Sequence, residues 1–216
     1  AGVMTRWVRI AAPGALLFSA GFGVWLAFSI GGALRGAPGD PMVPIALTTA
    51  TLIVYLSASV VIGSIVLAIW AIPHGHSGYR GAIDIAASAG IATTVSASSA
   101  AVLSFMNVSQ SGFSTTPEFG QQLGFFLTQV GLGQAWLIVT LSAAITSVLC
   151  IAVSRQTTLF FVALVSLGTL VPLALQGHSA DAAAHDIATK SLLLHVVFVA
   201  VWMGGLLTLI FVASGE

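Results

Sequence analysis

The sequence predicts an all-α fold, a polytopic integral membrane helix bundle with about six transmembrane helices in a single domain over residues 1–216. Only 6% of the residues are Asp, Glu, Lys or Arg, whereas a soluble domain carries about 25%. The hydrophobic fraction is 57%, and the apolar runs are long and continuous, unlike the ~10-residue alternating strands of a membrane barrel. Because six basic residues balance six acidic ones, a nucleic-acid-binding surface is excluded.

Six apolar stretches are long enough to cross the ~30 Å hydrocarbon core, which takes about 20 helical residues. The first exceeds the ~7–15-residue apolar core of a secretory signal, so we expect a retained helix. The second is long enough to tilt, the third is rich in Ala and Ser, and the fifth is short. In order, the predicted spans are 10–33, 43–72, 83–106, 132–153, 158–176 and 191–213.

The segment between the third and fourth spans predicts a short helix lying along the outer membrane interface. Thr115 would cap this helix, with Glu118 three residues later. One apolar face would then contain Phe119, Leu123, Phe126 and Leu127.

The distribution of Lys and Arg favours a cytoplasmic N-terminus, because positive charge accumulates on the inner side. The inner segments hold four basic residues and the outer segments hold two, Arg35 and Lys190. The chain starts at Ala1 and stops at Glu216, directly after a span, so we expect a fragment or a processed chain.

The third predicted span carries six hydroxyl residues among Ala and Gly. They would either support close helix packing, with hydroxyls bonding between helices, or form the wall of a polar pathway. The residues are Thr93, Thr94, Ser96, Ser98, Ser99 and Ser104.

Potential metal ligands collect on the predicted outer side. If residues 178–186 are helical, His178, Asp181 and His185 share one face. His195 lies about one turn inside the sixth span, where an ionisable residue must face the bundle or water. The alternative is a solvated loop followed by a hydrogen-bonded core histidine, and we expect His185 to be on a mobile loop.

Copper would suit such a site, since copper(I) favours thioether and thiolate ligands and imidazole suits both oxidation states. Met106 and Met203 are the thioethers near it. Met203 lies about 12 Å deeper than His195 on the same helix, and a relay through it would have the third span packed against Gly204 and Gly205. The alternative for Met203 is a gap-filler in the core.

On the inner side, His74 and His76 flank a glycine in a turn and would either chelate a metal or serve only the loop. The single cysteine, Cys150, excludes an internal disulfide and suits a small buried apolar group. The sequence contains no phosphate loop, zinc protease motif or nucleophile elbow, so we expect no enzymatic activity.

The C-terminal pattern resembles the copper-resistance D (CopD) family. Gln176-Gly177-His178 is similar to that family's Gly-His at the end of one span. The segment from His195 to Leu206 is similar to its helix reading roughly His-x6-Trp-x-Gly-Gly-Leu. The sharp part of the resemblance covers 176–207, and the N-terminal spans match in kind. Residues 128–136 and 181–186 resemble the actinobacterial branch, in which this domain is often fused ahead of a CtaG-type cytochrome c oxidase assembly domain.

This resemblance implies copper transport or handling across the bacterial plasma membrane, as import or resistance, and a copper supply to cytochrome oxidase assembly. The implied partners are the copper ion, the lipid bilayer, and a copper chaperone or oxidase assembly components. The implied metal ligands are His178 and His195. Two alternatives remain open: a b-type haem electron-transfer protein with axial His pairs, and an oxidase assembly partner that binds no metal.

Overall fold

The computed structural model describes residues 42–73, 75–152, 156–175 and 185–214. Every regular element in these residues is a helix, which confirms the all-α bundle. The helices are α1 (Met42–Trp70), α2 (Ser77–Ser109), α3 (Pro117–Gln129), α4 (Gly131–Ala152), α5 (Gln156–Gly168), α6 (Leu170–Leu175) and α7 (His185–Ser214).

Four helices of the described residues are long and apolar enough to cross a membrane. They comprise Met42–Trp70, Gly78–Ser109, Gly131–Ala152 and Ser191–Val212, and they coincide with the predicted second, third, fourth and sixth spans. The predicted first span, 10–33, lies outside the described residues.

The predicted fifth span is two helices rather than one. α5 ends at Gly168. The Thr169 amide donates a hydrogen bond to the Ser166 carbonyl at 3.1 Å, three residues back rather than the four of an α-helix, which makes a tighter turn. Pro172 has no N–H, so the Gly168 carbonyl loses the partner that it would have in a continuous helix. The predicted fifth span, 158–176, is therefore interrupted after Gly168, because Pro172 removes a helical hydrogen bond just after this turn.

The interior contains two apolar clusters, one above the other along the helices. One surrounds Trp136 and includes Val54, Ala97 and Leu170; the other surrounds Cys150 and includes Ile65, Ile83 and Leu159. Between them, near the middle of α2, α4 and the α5–α6 pair, lie several buried hydroxyl residues, and four of them line one cavity. We call this set the hydroxyl layer: Thr93, Thr146, Ser166 and Thr169.

Helices α1 and α7 cross at a point where glycine residues of both helices meet. A Cβ placed on Gly204 would overlap the Ser59 carbonyl, and one placed on Gly63 would overlap the Gly204 backbone. Beside the crossing, the buried Ser64 and Thr208 hydroxyls are 2.7 Å apart and share a hydrogen bond. The helix that packs closely against Gly204 is therefore α1, and the prediction that the Ser-rich α2 packs there was wrong. Small residues on the facing turn of α1 allow the two backbones to approach.

The short helix predicted after α2 is α3, but its cap is Thr116, not Thr115. The Thr116 hydroxyl accepts a hydrogen bond from the Phe119 amide at 3.4 Å, and Pro117 then takes the first helical position, where proline is favoured. The predicted apolar face is confirmed, since its four residues are the least exposed of α3. The rings of Phe119 and Phe126 pack edge-on and tilted against Phe105 of α2, and their centroids lie 5.2 and 5.7 Å from the Phe105 centroid.

Candidate functional site

His195 lies on the side of α7 that faces away from α1. Its side chain is exposed, whereas Ala200, Gly204 and Thr208 are buried. His195 precedes Ala200 by five residues, which turns it about 140° around the helix axis. Trp202 follows His195 by seven residues, which is about two turns, and it is also exposed. The His and the Trp therefore share an outward face of α7, and Gly204 lies on the packed face.

His185 begins α7 rather than lying in a loop, so the prediction of a mobile loop position was wrong. Ten residues of helix separate it from His195, which is about 15 Å along the axis. An imidazole nitrogen binds a metal at about 2 Å, and each ring stays within a few ångströms of its own backbone. One ion therefore cannot be held by both residues while α7 is a continuous helix.

Of the other predicted outer ligands, the structure describes only Met106 and Met203. His178 and Asp181 lie outside the described residues. Met106 is half-buried near the end of α2, and Met203 is half-buried on α7. Across the ranges that the structure describes, three or more His, Cys, Asp or Glu side chains do not come together as a metal-binding group.

Comparison with known protein families identifies one that covers most of this bundle. Residues 41–186 match the model of the copper resistance protein D-like, N-terminal domain. The chain belongs to this family. The match covers about two thirds of the chain, and no curated protein or solved structure matches it.

The family match confirms the CopD resemblance but places it differently along the chain. Helices α1 to α6 lie within the matched residues, although these spans had seemed to match only in kind. Of the signature over 176–207, only residues 176–186 overlap the match. Membership of a copper-resistance family associates the chain with copper, and imidazole and thioether side chains are the donors that copper would use.

The residues predicted on the inner side have structural roles in this copper resistance D-like domain. His76 is the N-cap of α2, and its Nδ1 accepts a hydrogen bond from the Gly78 amide at 3.2 Å. Its partner in the predicted chelate, His74, lies outside the described residues. Cys150 is fully buried in the second apolar cluster, as expected for a small packing group.

The hydroxyl residues of α2 divide between packing and surface. Thr93, Ser96 and Ser104 are buried, whereas Ser98 and Ser99 are exposed. Thr93 reaches α1 by donating to the Ser57 hydroxyl at 2.9 Å, which is the interhelical bonding expected for close packing.

Sequence reasoning missed that Thr93 belongs to a layer with hydroxyls from other helices. It treated the hydroxyls of α2 as one group on one helix. The available signal was a hydroxyl at the middle of two further apolar stretches: Thr146 in α4, and Ser166 with Thr169 at the break between α5 and α6.

Proposed function

We propose that this protein takes up or handles copper across the bacterial plasma membrane, as a CopD-like import or resistance protein with a cytoplasmic N-terminus. The observation that carries the proposal is the family match over residues 41–186, joined to four helices apolar enough to span a bilayer. A chain with 6% charged residues has few groups for ion chemistry within a membrane. Imidazole and thioether donors are the soft ligands that it offers to copper.

The proposed outer site has two positions, the first formed by residues up to the start of α7 and the second farther along α7. His178, Asp181 and His185 would receive the ion, and His195 would hold it one turn inside the span. This arrangement follows from the ~15 Å of helix between His185 and His195, which excludes both from one coordination sphere. Met106 and Met203 are the nearest further soft donors on their helices.

Copper binding to purified protein tests the proposal. We expect wild-type protein to bind copper and the His178→Ala/His195→Ala double variant to lose most of it. Because protons compete with the metal for imidazole, binding should weaken in acid. His76→Ala is the matched control, since His76 caps α2 on the opposite side of the membrane. Equal copper stoichiometry in the wild type and the double variant would refute the His site.

If the two positions are separate, their single variants should differ. His185→Ala should slow loading from dilute copper while leaving a site at His195, and His195→Ala should leave the receiving position intact. Each single variant is then expected to retain part of the bound copper. Complete loss in both variants would show that one shared site requires a distortion of α7.

We further infer that the imported copper supplies cytochrome c oxidase assembly, through a chaperone or through the assembly components themselves. The support is the resemblance of residues 128–136 and 181–186 to the CtaG-fused branch. Deleting the protein should lower oxidase activity at limiting copper, and added copper should restore it. An absorption spectrum of the purified protein separates this from the b-type haem alternative, which requires a Soret band.

A further inference from the structure

A small cavity lies among α1, α2, α4 and the α5–α6 break, at the level of the hydroxyl layer. Its water-accessible volume is about 10 Å³, room for about one water molecule. All four members of the hydroxyl layer line it. Small and aliphatic residues complete the wall: Ala58, Val61, Gly90 and Ala143.

Three of the four hydroxyl groups already donate a hydrogen bond within the protein. Thr93 donates to Ser57 Oγ or to the Ala89 carbonyl, both at 2.9 Å. Ser166 donates to the Ala163 carbonyl at 2.8 Å, and Thr169 donates to the Ser166 carbonyl at 2.6 Å. Each of these oxygens keeps acceptor capacity, because a hydroxyl has one donor and two acceptor lone pairs.

Thr146 differs from the other three. It is 1% exposed, and its Oγ1 has no hydrogen-bond partner among the described residues. Burying a hydroxyl without a partner is costly, and few native side chains are left in that state. The Thr146 hydroxyl is therefore a hydrogen-bond donor without an acceptor in the described part of the chain, and it lines a small cavity whose other hydroxyl oxygens can still accept a hydrogen bond.

We propose that this cavity binds one water molecule. The water accepts a hydrogen bond from the Thr146 hydroxyl. It donates one hydrogen bond to each of two hydroxyl oxygens among those of Thr93, Ser166 and Thr169. The resulting three hydrogen bonds are the usual number for a buried water.

A metal ion fits this cavity less well than water does. No carboxylate lines it, and an unpaired charge at the centre of a membrane protein is costly. Copper(I) also prefers sulfur and nitrogen to hydroxyl oxygen. The water instead connects α4 to the α5–α6 break, where Pro172 removes a helical hydrogen bond.

Water contact can be measured on the unaltered protein in nanodiscs, with threonine γ-methyl groups isotopically labelled for nuclear Overhauser spectra. We expect a cross-peak between the Thr146 methyl and water. Thr208 is the control, because it is equally buried but bonded to Ser64, and it should show none. The absence of a Thr146 cross-peak, or equal cross-peaks at both residues, would overturn the proposal.

The sign of a stability change provides the second test. Thr146→Val keeps the shape and removes the donor. A bound water then loses one hydrogen bond, and Tm should fall by about 2–4 °C relative to Thr140→Val, which removes a hydroxyl bonded within the same helix. If the cavity is dry, the same variant removes an unsatisfied group and Tm rises or matches the control, which overturns the proposal.

A sodium comparison separates water from a cation in the same experiment. The Tm of the wild type and of Thr146→Val should each be equal in sodium chloride and in choline chloride. A sodium-dependent rise that occurs in the wild type and not in the variant would show a cation site, and the water assignment would then be wrong.

Discussion

Adding a single methyl group at Gly204 should separate α1 from α7. The Cβ of alanine would overlap the Ser59 carbonyl oxygen, which is a backbone atom and cannot rotate away. The two helices must therefore move apart, which also stretches the Ser64–Thr208 hydrogen bond at 2.7 Å. Gly205 provides a matched control, because a Cβ placed there meets nothing within 4 Å.

The expected cost follows from three contributions. Overpacking costs about 1–3 kcal/mol, and the rigid backbone contact favours the upper end. A weakened interhelical hydrogen bond adds roughly 0.6 kcal/mol, and the better helix propensity of alanine returns up to about 1 kcal/mol. We therefore expect Gly204→Ala to destabilise by roughly 2–3 kcal/mol. Gly205→Ala should stabilise by about 0.5–1 kcal/mol.

Cys150 makes the measurement direct. It is the only cysteine in the chain, and it is fully buried in the second apolar cluster. A thiol-reactive fluorogenic dye will therefore report opening of the bundle on heating. At about 2–4 °C per kcal/mol, Gly204→Ala should lower Tm by roughly 4–12 °C, and Gly205→Ala should raise it slightly. Equal melting temperatures for the two variants would refute the close α1–α7 crossing.

Three further outcomes are expected. Thr116→Ala should cost α3 about 0.5–2 kcal/mol through the lost cap, seen as faster hydrogen exchange in that helix; unchanged exchange would contradict the cap. Ser64→Ala and Thr208→Val should be non-additive by about 0.6 kcal/mol in a double-mutant cycle, and strict additivity would argue against their bond. Cysteines introduced at Gly112 and Gly81, where a Cβ meets nothing within 4 Å, should label from outside and from inside respectively, and the reverse pattern would overturn the orientation.

Hydropathy was sufficient to find the long helices, because a run of about 20 apolar residues in a membrane has few alternatives to a helix. It could not find the break after Gly168, because a turn between two apolar helices leaves the hydropathy unchanged. The available signal was Pro172, whose missing N–H leaves the Gly168 carbonyl without its helical partner. The missing N–H of Pro172 therefore indicates the break, whereas the pattern of apolar residues does not.

The cap of α3 was misplaced by one residue for a similar reason. Thr115 and Thr116 have the same side chain, and Thr115 places Glu118 at the capping-box position. Thr116 instead places Pro117 at the first helical position, where its fixed φ and absent N–H carry no penalty. Proline at that position is the stronger constraint, and weighing it would have selected the observed cap.

The pairing of helices was beyond the sequence, because both α1 and α2 present small residues to a neighbour. Gly204 indicates a close approach in either case. Only the three-dimensional arrangement shows that Ser59 and Gly63 of α1 supply the opposing surface. The candidate metal ligands could not be grouped correctly from the sequence either. Spacing placed His185 and His195 in one hypothesis, whereas the continuous helix α7 separates them by ~15 Å.

Met203 provides the last test of a copper route along α7. It lies about 12 Å inward of His195 and about 80° around the axis; it is half-buried, whereas His195 is exposed. As the next soft donor on this helix, it should accept copper(I) from the imidazole. The hydroxyl layer in the interior offers only hard oxygen. Met203→Leu conserves volume and should change stability by less than about 1.5 kcal/mol. Copper uptake by cells should fall while copper binding at the outer histidines persists and Tm stays near the wild-type value. Unchanged uptake would show that Met203 only packs beside the α1–α7 crossing, and the outer histidine site would then stand without this relay.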